Sequence, residues 1–445
     1  MSIVIRGGTV VTSDARRTIL KNASIVIKDS RIANINSDSS VNVANTSEVI
    51  DAQSFVIIPG FIQTHLHLCQ TLFRGLADDL QLLDWLQTKI FPFEAAHDDH
   101  SMYCSAMLGI AELIRSGTTT ILDMGSINHE EEVIRAIGET GLRAFVGKAM
   151  MDMNDTYPKL KESTNDSIQS TRELAERWHR SYDGRIRYAA APRFVLSCSD
   201  TLLHNTREMI ESFDGVLLHT HASENLSEIQ VVRERCKMEN LEFLNHLGLL
   251  SSRACLAHCI HLTEAEIDIL QRTQTNVAHC PSSNLKLGSG IAKIPYLMSR
   301  KINVALGADG APCNNTIDMF QEMRLASLLQ KPIHGSTSMP AQTVFTMATM
   351  GGARALGMER EIGSIEIGKK ADLVLLNLDN VWNPVGDDNV YSSIVYSAGP
   401  ENVDSVMIDG KWVYRKKEFV GMNVENVMQT SRHELKQLLN RVEYV

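Results

Sequence analysis

Eight short apolar runs alternate with longer amphipathic stretches through the middle of this 445-residue chain, and that alternation limits the fold more than any other feature. The runs are VIIPGFIQTHLH (56–67), TTTILDMG (118–125), LRAFVGKAM (142–150), IRYAAAPRF (186–194), GVLLHTH (215–221), ACLAHC (254–259), TNVAHCP (275–281) and INVALGADG (302–310). Stretches of helical period lie between several of them, for example 100–117 and 263–274. Such a pattern reads as parallel strands joined by crossover helices. Eight strands over about 255 residues suit an α/β fold of the (β/α)8 TIM-like barrel type, typically ~250 residues long.

The two ends of the chain differ from the middle. Residues 1–57 and 360–425 carry short alternating strands broken by Gly, Asp, Asn and Ser. They predict one small antiparallel β-sandwich domain assembled from both ends. Asp409-Gly410, between two such runs, is a hairpin-turn signal. The barrel is expected over 58–359, and 426–445 reads as a terminal amphipathic helix.

The polar residues fall at the strand ends, where a barrel of this type keeps its active site. The first strand ends in His65-Leu66-His67, whose i, i+2 spacing puts both imidazoles on one face. The fifth ends in His221, with Glu224 just beyond, the sixth in His258, the seventh in His279 and the eighth in Asp309. Any one of these could be a satisfied core residue. The whole set at strand ends points instead to a metal. His65, His67 and His221 offer neutral nitrogen donors and Asp309 a carboxylate, a donor set suited to one Zn²⁺, with iron or manganese also admissible. A catalytic metal brings the pKa of its water from about 15.7 to about 7. Glu224 is placed to shuttle a proton, and His258 to orient or help deprotonate the water, or to be a further ligand. His279 could touch a leaving amine or be structural. His97, His100, His129 and His261 have no such placement and are read as non-ligands.

The formal net charge is −10, which argues against a nucleic-acid or anionic-membrane surface and leaves a small molecule as the partner. The opening residues form no signal peptide, and no run approaches the ~18 apolar residues of a membrane span, so a cytoplasmic protein is expected. The eight scattered cysteines form no CxxC pair and read as reduced core thiols.

Taken together, HLH (65–67), HASE (221–224), AHC (257–259) and GADG (307–310) resemble the amidohydrolase superfamily, over essentially the whole chain. The resemblance is to its mononuclear aminohydrolase branch. It implies a metal site of His65, His67, His221 and Asp309, with Glu224 as acid/base and His258 catalytic. Dinuclear branches often use a carbamylated lysine on strand four, where this chain has Arg193. The cytidine-deaminase fold needs P-C-x-x-C, and Pro312-Cys313 lacks the second cysteine.

The substrate signals are mixed. Segments 71–94 and 307–331 resemble deaminases of 5′-modified adenosines, in which the glutamate matching Glu94 binds the ribose hydroxyls. Segment 143–199 is similar to guanine deaminases, in which the residues matching Gln70, Arg193 and Phe194 hold the base. An Arg193 fork could grip a purine carbonyl or be a structural ion-pair partner. Trp85 and Phe91 read as lid packing on which a purine could stack, and Met150, Met151 and Met153 as packing. The expectation is a zinc-dependent purine aminohydrolase, a homo-oligomer, acting at adenine C6 of a 5′-deoxy- or 5′-modified adenosine. Guanine deamination is the first alternative. More distant ones are s-triazine hydrolysis and a non-catalytic scaffold relative.

Overall fold

The computed structural model describes residues 2–38, 48–380 and 389–443. The chain divides into two compact units. One comprises Met1–Ile62, Glu112–Thr120 and Asp318–Met422, the other Gln63–Ala111, Ile121–Ile317 and Asn423–Val445.

In the first unit both chain ends join one sheet. Strand Val56–Pro59 pairs antiparallel with Leu373–Leu376, Ile58 opposite Val374, which ties the N-terminal strands to the C-terminal ones. Ile5, Ile25 and Ile57 from one end pack with Leu373, Leu375 and Met407 from the other. Strands Val403–Ile408 and Lys411–Arg415 form the hairpin expected around Asp409-Gly410. Both turn residues take positive φ, 53° and 75°, as a type I′ turn requires. One detail departs from the antiparallel expectation: Ser2–Val11 pairs in parallel with Glu48–Asp51 and with Val56–Pro59. Period-two patterning fixes the face a residue takes and is silent on strand direction.

The second sheet is parallel and contains all eight expected runs. They appear as Phe61–His67, Thr118–Met124, Arg143–Gly147, Ile186–Pro192, Leu217–Ala222, Ala254–His258, Asn276–His279 and the segment 304–310, with Ala149–Met150 as a short extension of the third. The last segment is bent. Val304–Leu306 pairs with the seventh strand, while Asp309–Gly310 pairs with the first, Asp309 opposite Leu66 and Gly310 opposite His67. Both pairings are parallel, so the sheet curls round until its ends share one segment. The bend passes so close to the first strand that a side chain at Gly307 would put its Cβ 2.7 Å from the His65 carbonyl oxygen. Only glycine fits there.

The C-terminal helix runs Val424–Arg441, capped by the Asn423 side chain, which accepts from the Asn426 amide at 3.0 Å. It seats Leu438 against Leu72, Phe73 and Phe93 of the second unit. Among the described residues no helix is long and apolar enough to cross a membrane.

Candidate metal centre and catalytic pocket

His65, His67, His221 and Asp309 each offer a ligand atom, and these four atoms lie within 4.8 Å of one another. The protonation of each ring follows from its other nitrogen. His67 Nδ1 lies 2.8 Å from the Met124 carbonyl oxygen, and His221 Nδ1 lies 2.7 Å from that of Arg193. A carbonyl can only accept, so each Nδ1 carries the hydrogen and each Nε2 is a bare lone pair. Those two Nε2 atoms are 3.3 Å apart. His65 reaches the same state through a relay. His219 Nδ1 donates to the Cys255 carbonyl (3.0 Å), so its Nε2 accepts from His65 Nδ1 (2.8 Å). This leaves His65 Nε2 bare, buried and without a hydrogen-bond partner, 3.3 Å from Asp309 Oδ1. Three lone pairs and a carboxylate converging in a buried space need a cation between them.

Burial opposes ionisation of Asp309, yet the imidazoles of His65, His67 and His258 around it hold its pKa well below the usual carboxylate range, and Asp309 in turn raises that of His67 against the pull of burial. Burial lowers the pKa of His65 to about 4 and pushes that of His221 well down, keeping both neutral, as metal ligands must be.

Two further groups stand beside this set. His258 Nδ1 is 2.8 Å from Asn284 Oδ1, so its bare Nε2 faces Glu224 Oε2 at 3.5 Å and Asp309 Oδ2 at 3.8 Å. Burial, then the charges of Asp309 and Glu228, raise the pKa of Glu224 well above the ordinary value. Its surroundings thus favour the protonated carboxyl. The backbone is strained where these groups emerge. Ser223, His258 and Asp309 have φ of 52°, 72° and 63°. Left-handed conformations at such residues cost about 1–3 kcal/mol each and cluster at functional sites.

Gln70, Arg193, Phe194, Glu224, His258 and Asp309 all line one pocket, closed over by Leu82, Trp85, Leu86 and Leu287. Glu94 does not line it. It lies behind the wall, where both Arg193 nitrogens grip it at 2.7 and 3.0 Å and Gln70 Nε2 donates at 2.8 Å. The Arg193 fork is thus occupied by Glu94. Gln70 Oε1 and Trp85 Nε1 are buried without partners. His279 is buried with neither ring nitrogen partnered, its pKa lowered by burial to about 3. His97 bonds the Cys69 carbonyl and Ser101, His129 pairs with Asp99, and His261 bonds the Ser289 carbonyl, all away from the four ligand atoms.

Sequence reasoning missed the residues that orient the site. After the seventh strand, Ser283 Oγ donates to Asp309 Oδ2 (2.6 Å), Asn284 holds His258, and Ser289 approaches Glu224 Oε1 (3.5 Å). Glu228 Oε2 accepts from the Glu224 amide at 2.8 Å and completes the Asn225 capping box. Asn225-x-x-Glu228 was a readable signal for that contact. Nothing local marked Ser283 or Asn284.

A model of the amidohydrolase family matches residues 56–413. The chain is 39% identical to the 5′-deoxyadenosine deaminase of Methanothermobacter thermautotrophicus over 433 residues, 96% of each chain. It is 38% identical to the 5-methylthioadenosine/S-adenosylhomocysteine deaminase of Moorella thermoacetica over 380 residues, 85% of this chain and 86% of the relative. Among solved structures, an adenosine deaminase from Xanthomonas campestris with bound zinc superposes with a TM-score of 0.91 at 30% identity, covering 98% of both chains. A guanine deaminase from C. acetobutylicum with bound guanine superposes at 0.84 with 28% identity, covering 93% of this chain and 100% of the other. On the strength of the family match and these near full-length likenesses, the chain belongs to the amidohydrolase family.

Proposed function

We propose that this chain is a zinc-dependent, cytoplasmic, homo-oligomeric aminohydrolase that releases ammonia from adenine C6 of a 5′-deoxy- or 5′-modified adenosine. The observation that carries the reading is the convergence of three imidazole nitrogens and Asp309 beside a buried Glu224. The relatives named as deaminases of such nucleosides support the choice of substrate.

His65, His67, His221 and Asp309 would hold the zinc, which when bound supplies a Lewis acid and an acidified water. The protein supplies the rest. Glu224 donates its proton to the ring nitrogen next to C6, drawing electron density from the carbon under attack. His258, its Nδ1 fixed by Asn284, presents a bare Nε2 that accepts a proton from the nucleophile's side. Leu82, Leu86 and Leu287 give the ring apolar walls and exclude water. As the tetrahedral centre collapses, Glu224, now a carboxylate, takes the proton of the added hydroxyl, and the proton held by His258 passes to the amine, which leaves as ammonia.

Guanine is the second reading. Gln70, Arg193 and Phe194 line the pocket while Glu94 stays behind it, and Gln70 Oε1 is free to accept from a base. Ammonia release from 5′-deoxyadenosine and from guanine, side by side on zinc-loaded protein, separates the two. Turnover of the nucleoside and not of guanine is expected. Turnover of guanine alone would sink the adenosine assignment and make Gln70, Arg193 and Phe194 the base-reading set.

A further inference from the structure

Next to the catalytic pocket lies a larger cavity that the deamination chemistry does not use. Its empty volume is about 810 Å³, against about 420 Å³ in the catalytic pocket. Leu86 and Phe194 line both, so the two spaces adjoin at these side chains. Beyond these two, its walls mix apolar side chains, Met151, Met153, Leu196 and Val231 prominent among them, with polar ones. The polar side chains are the neutral Gln87, Asn154, Thr156 and Ser197. Two of these are used locally: Asn154 Oδ1 accepts from the Tyr157 amide, and Ser197 Oγ donates to the Phe194 carbonyl. Among the described residues the charged one lining it is Asp155, already paired with Lys161 at 2.7 Å on the surface. No lysine, arginine or histidine among the described residues lines the cavity.

We propose that this cavity receives the 5′ end of the nucleoside and selects a neutral, apolar 5′-substituent, an alkylthio group above all, over one ending in an amino acid. The inference rests on the nucleoside reading. With the base at the metal site, the 5′ carbon is the part of the substrate directed away from the chemistry, and the cavity across Leu86 and Phe194 is the space available to it. A thioether is soft and polarisable and packs well on methionine and leucine. The α-carboxylate of a homocysteine tail would lose water there and find no cation among the lining residues, the charge at hand being Asp155, whose partner Lys161 is already engaged. Desolvating an unpaired carboxylate is strongly unfavourable. Recognition of S-adenosylhomocysteine therefore lacks a partner that this cavity would have to provide.

The test compares kcat/KM for 5′-deoxyadenosine, methylthioadenosine and S-adenosylhomocysteine on zinc-loaded protein, in the wild type and in Met153→Arg. Met153 is 39% exposed, so the substitution leaves the core intact. The wild type should prefer methylthioadenosine to S-adenosylhomocysteine by about tenfold or more, the effect of a single unmet charge on a partly solvated group. Met153→Arg should narrow that ratio by supplying the missing cation. Equal or better use of S-adenosylhomocysteine by the wild type would overturn the subsite alone, since 5′-deoxyadenosine would still be consumed. A ratio unmoved by Met153→Arg would show that the 5′ end lies elsewhere. Inactivity toward all three nucleosides would remove the nucleoside reading and this one with it.

Discussion

Hydrogen-bond partners, more than residue types, decide what each side chain of the centre can do. His65, His67 and His221 are ligand-ready because His219, Met124 and Arg193 take up their other nitrogens. His219 repeats on strand five the i, i+2 spacing of His65 and His67, and its ring bonds to His65, supporting a ligand atom instead of supplying one. The charge of Glu224 is set in the same way, by burial and by Asp309 and Glu228. A proton held above the ordinary carboxylate range predicts that kcat/KM declines on the alkaline side as Glu224 loses it. Glu224→Gln should lower kcat by about 10²–10⁴-fold, the usual worth of a positioned acid or base. Bound zinc per chain, measured by elemental analysis, should be unchanged. Retained turnover in the variant would remove Glu224 from proton transfer. The residues of the metal set were legible because histidine and aspartate at predicted strand ends stand out. The Glu94–Arg193 pair was not, because 99 residues separate its partners and nothing local to either names the other.

Single elements deliver several groups at once. The stretch following the seventh strand contacts Asp309, His258 and Glu224 through Ser283, Asn284 and Ser289, so its conformation aligns the metal ligand with both proton-handling groups. The end of the second strand shows a different economy. Burial raises the pKa of Asp123 to about 7, and burial together with Asp123 raises that of Glu130 well above normal. Each still accepts one backbone amide, from Leu68 and Ser126. An unfolded aspartate ionises near about 3.9. Between about pH 4 and pH 7 the folded Asp123 therefore keeps a proton that the unfolded chain has lost. Stability falls as pH rises through that window. Asp123→Asn keeps an acceptor for the Leu68 amide and cannot ionise. Its Tm should drop less between pH 5 and pH 8 than that of the wild type. Identical pH dependence in the two proteins would show that Asp123 ionises no differently when folded.

Across the whole molecule, the metal ligands come from the first, fifth and eighth strands, so any ion they bind clips distant parts of the parallel sheet together. Stripping the protein with a chelator should abolish ammonia release and lower Tm, and zinc should restore both, because an ion bound only by the folded state stabilises it by mass action. Unchanged Tm and metal content after chelation would argue against a bound ion at the four residues. The sequence alone determined which residues become strands, that the chain ends form a β unit apart from the parallel sheet, and which side chains sit at strand ends, because periodicity and turn chemistry are local. It also carried the family resemblance, since the motifs are short and contiguous. Tertiary structure alone decided the parallel return of the N-terminal strands, the split of the last strand between its two neighbours, the tautomer of each histidine, and the withdrawal of Glu94 behind Arg193. Each of these depends on a partner brought close by folding, and no local pattern encodes which partner that will be.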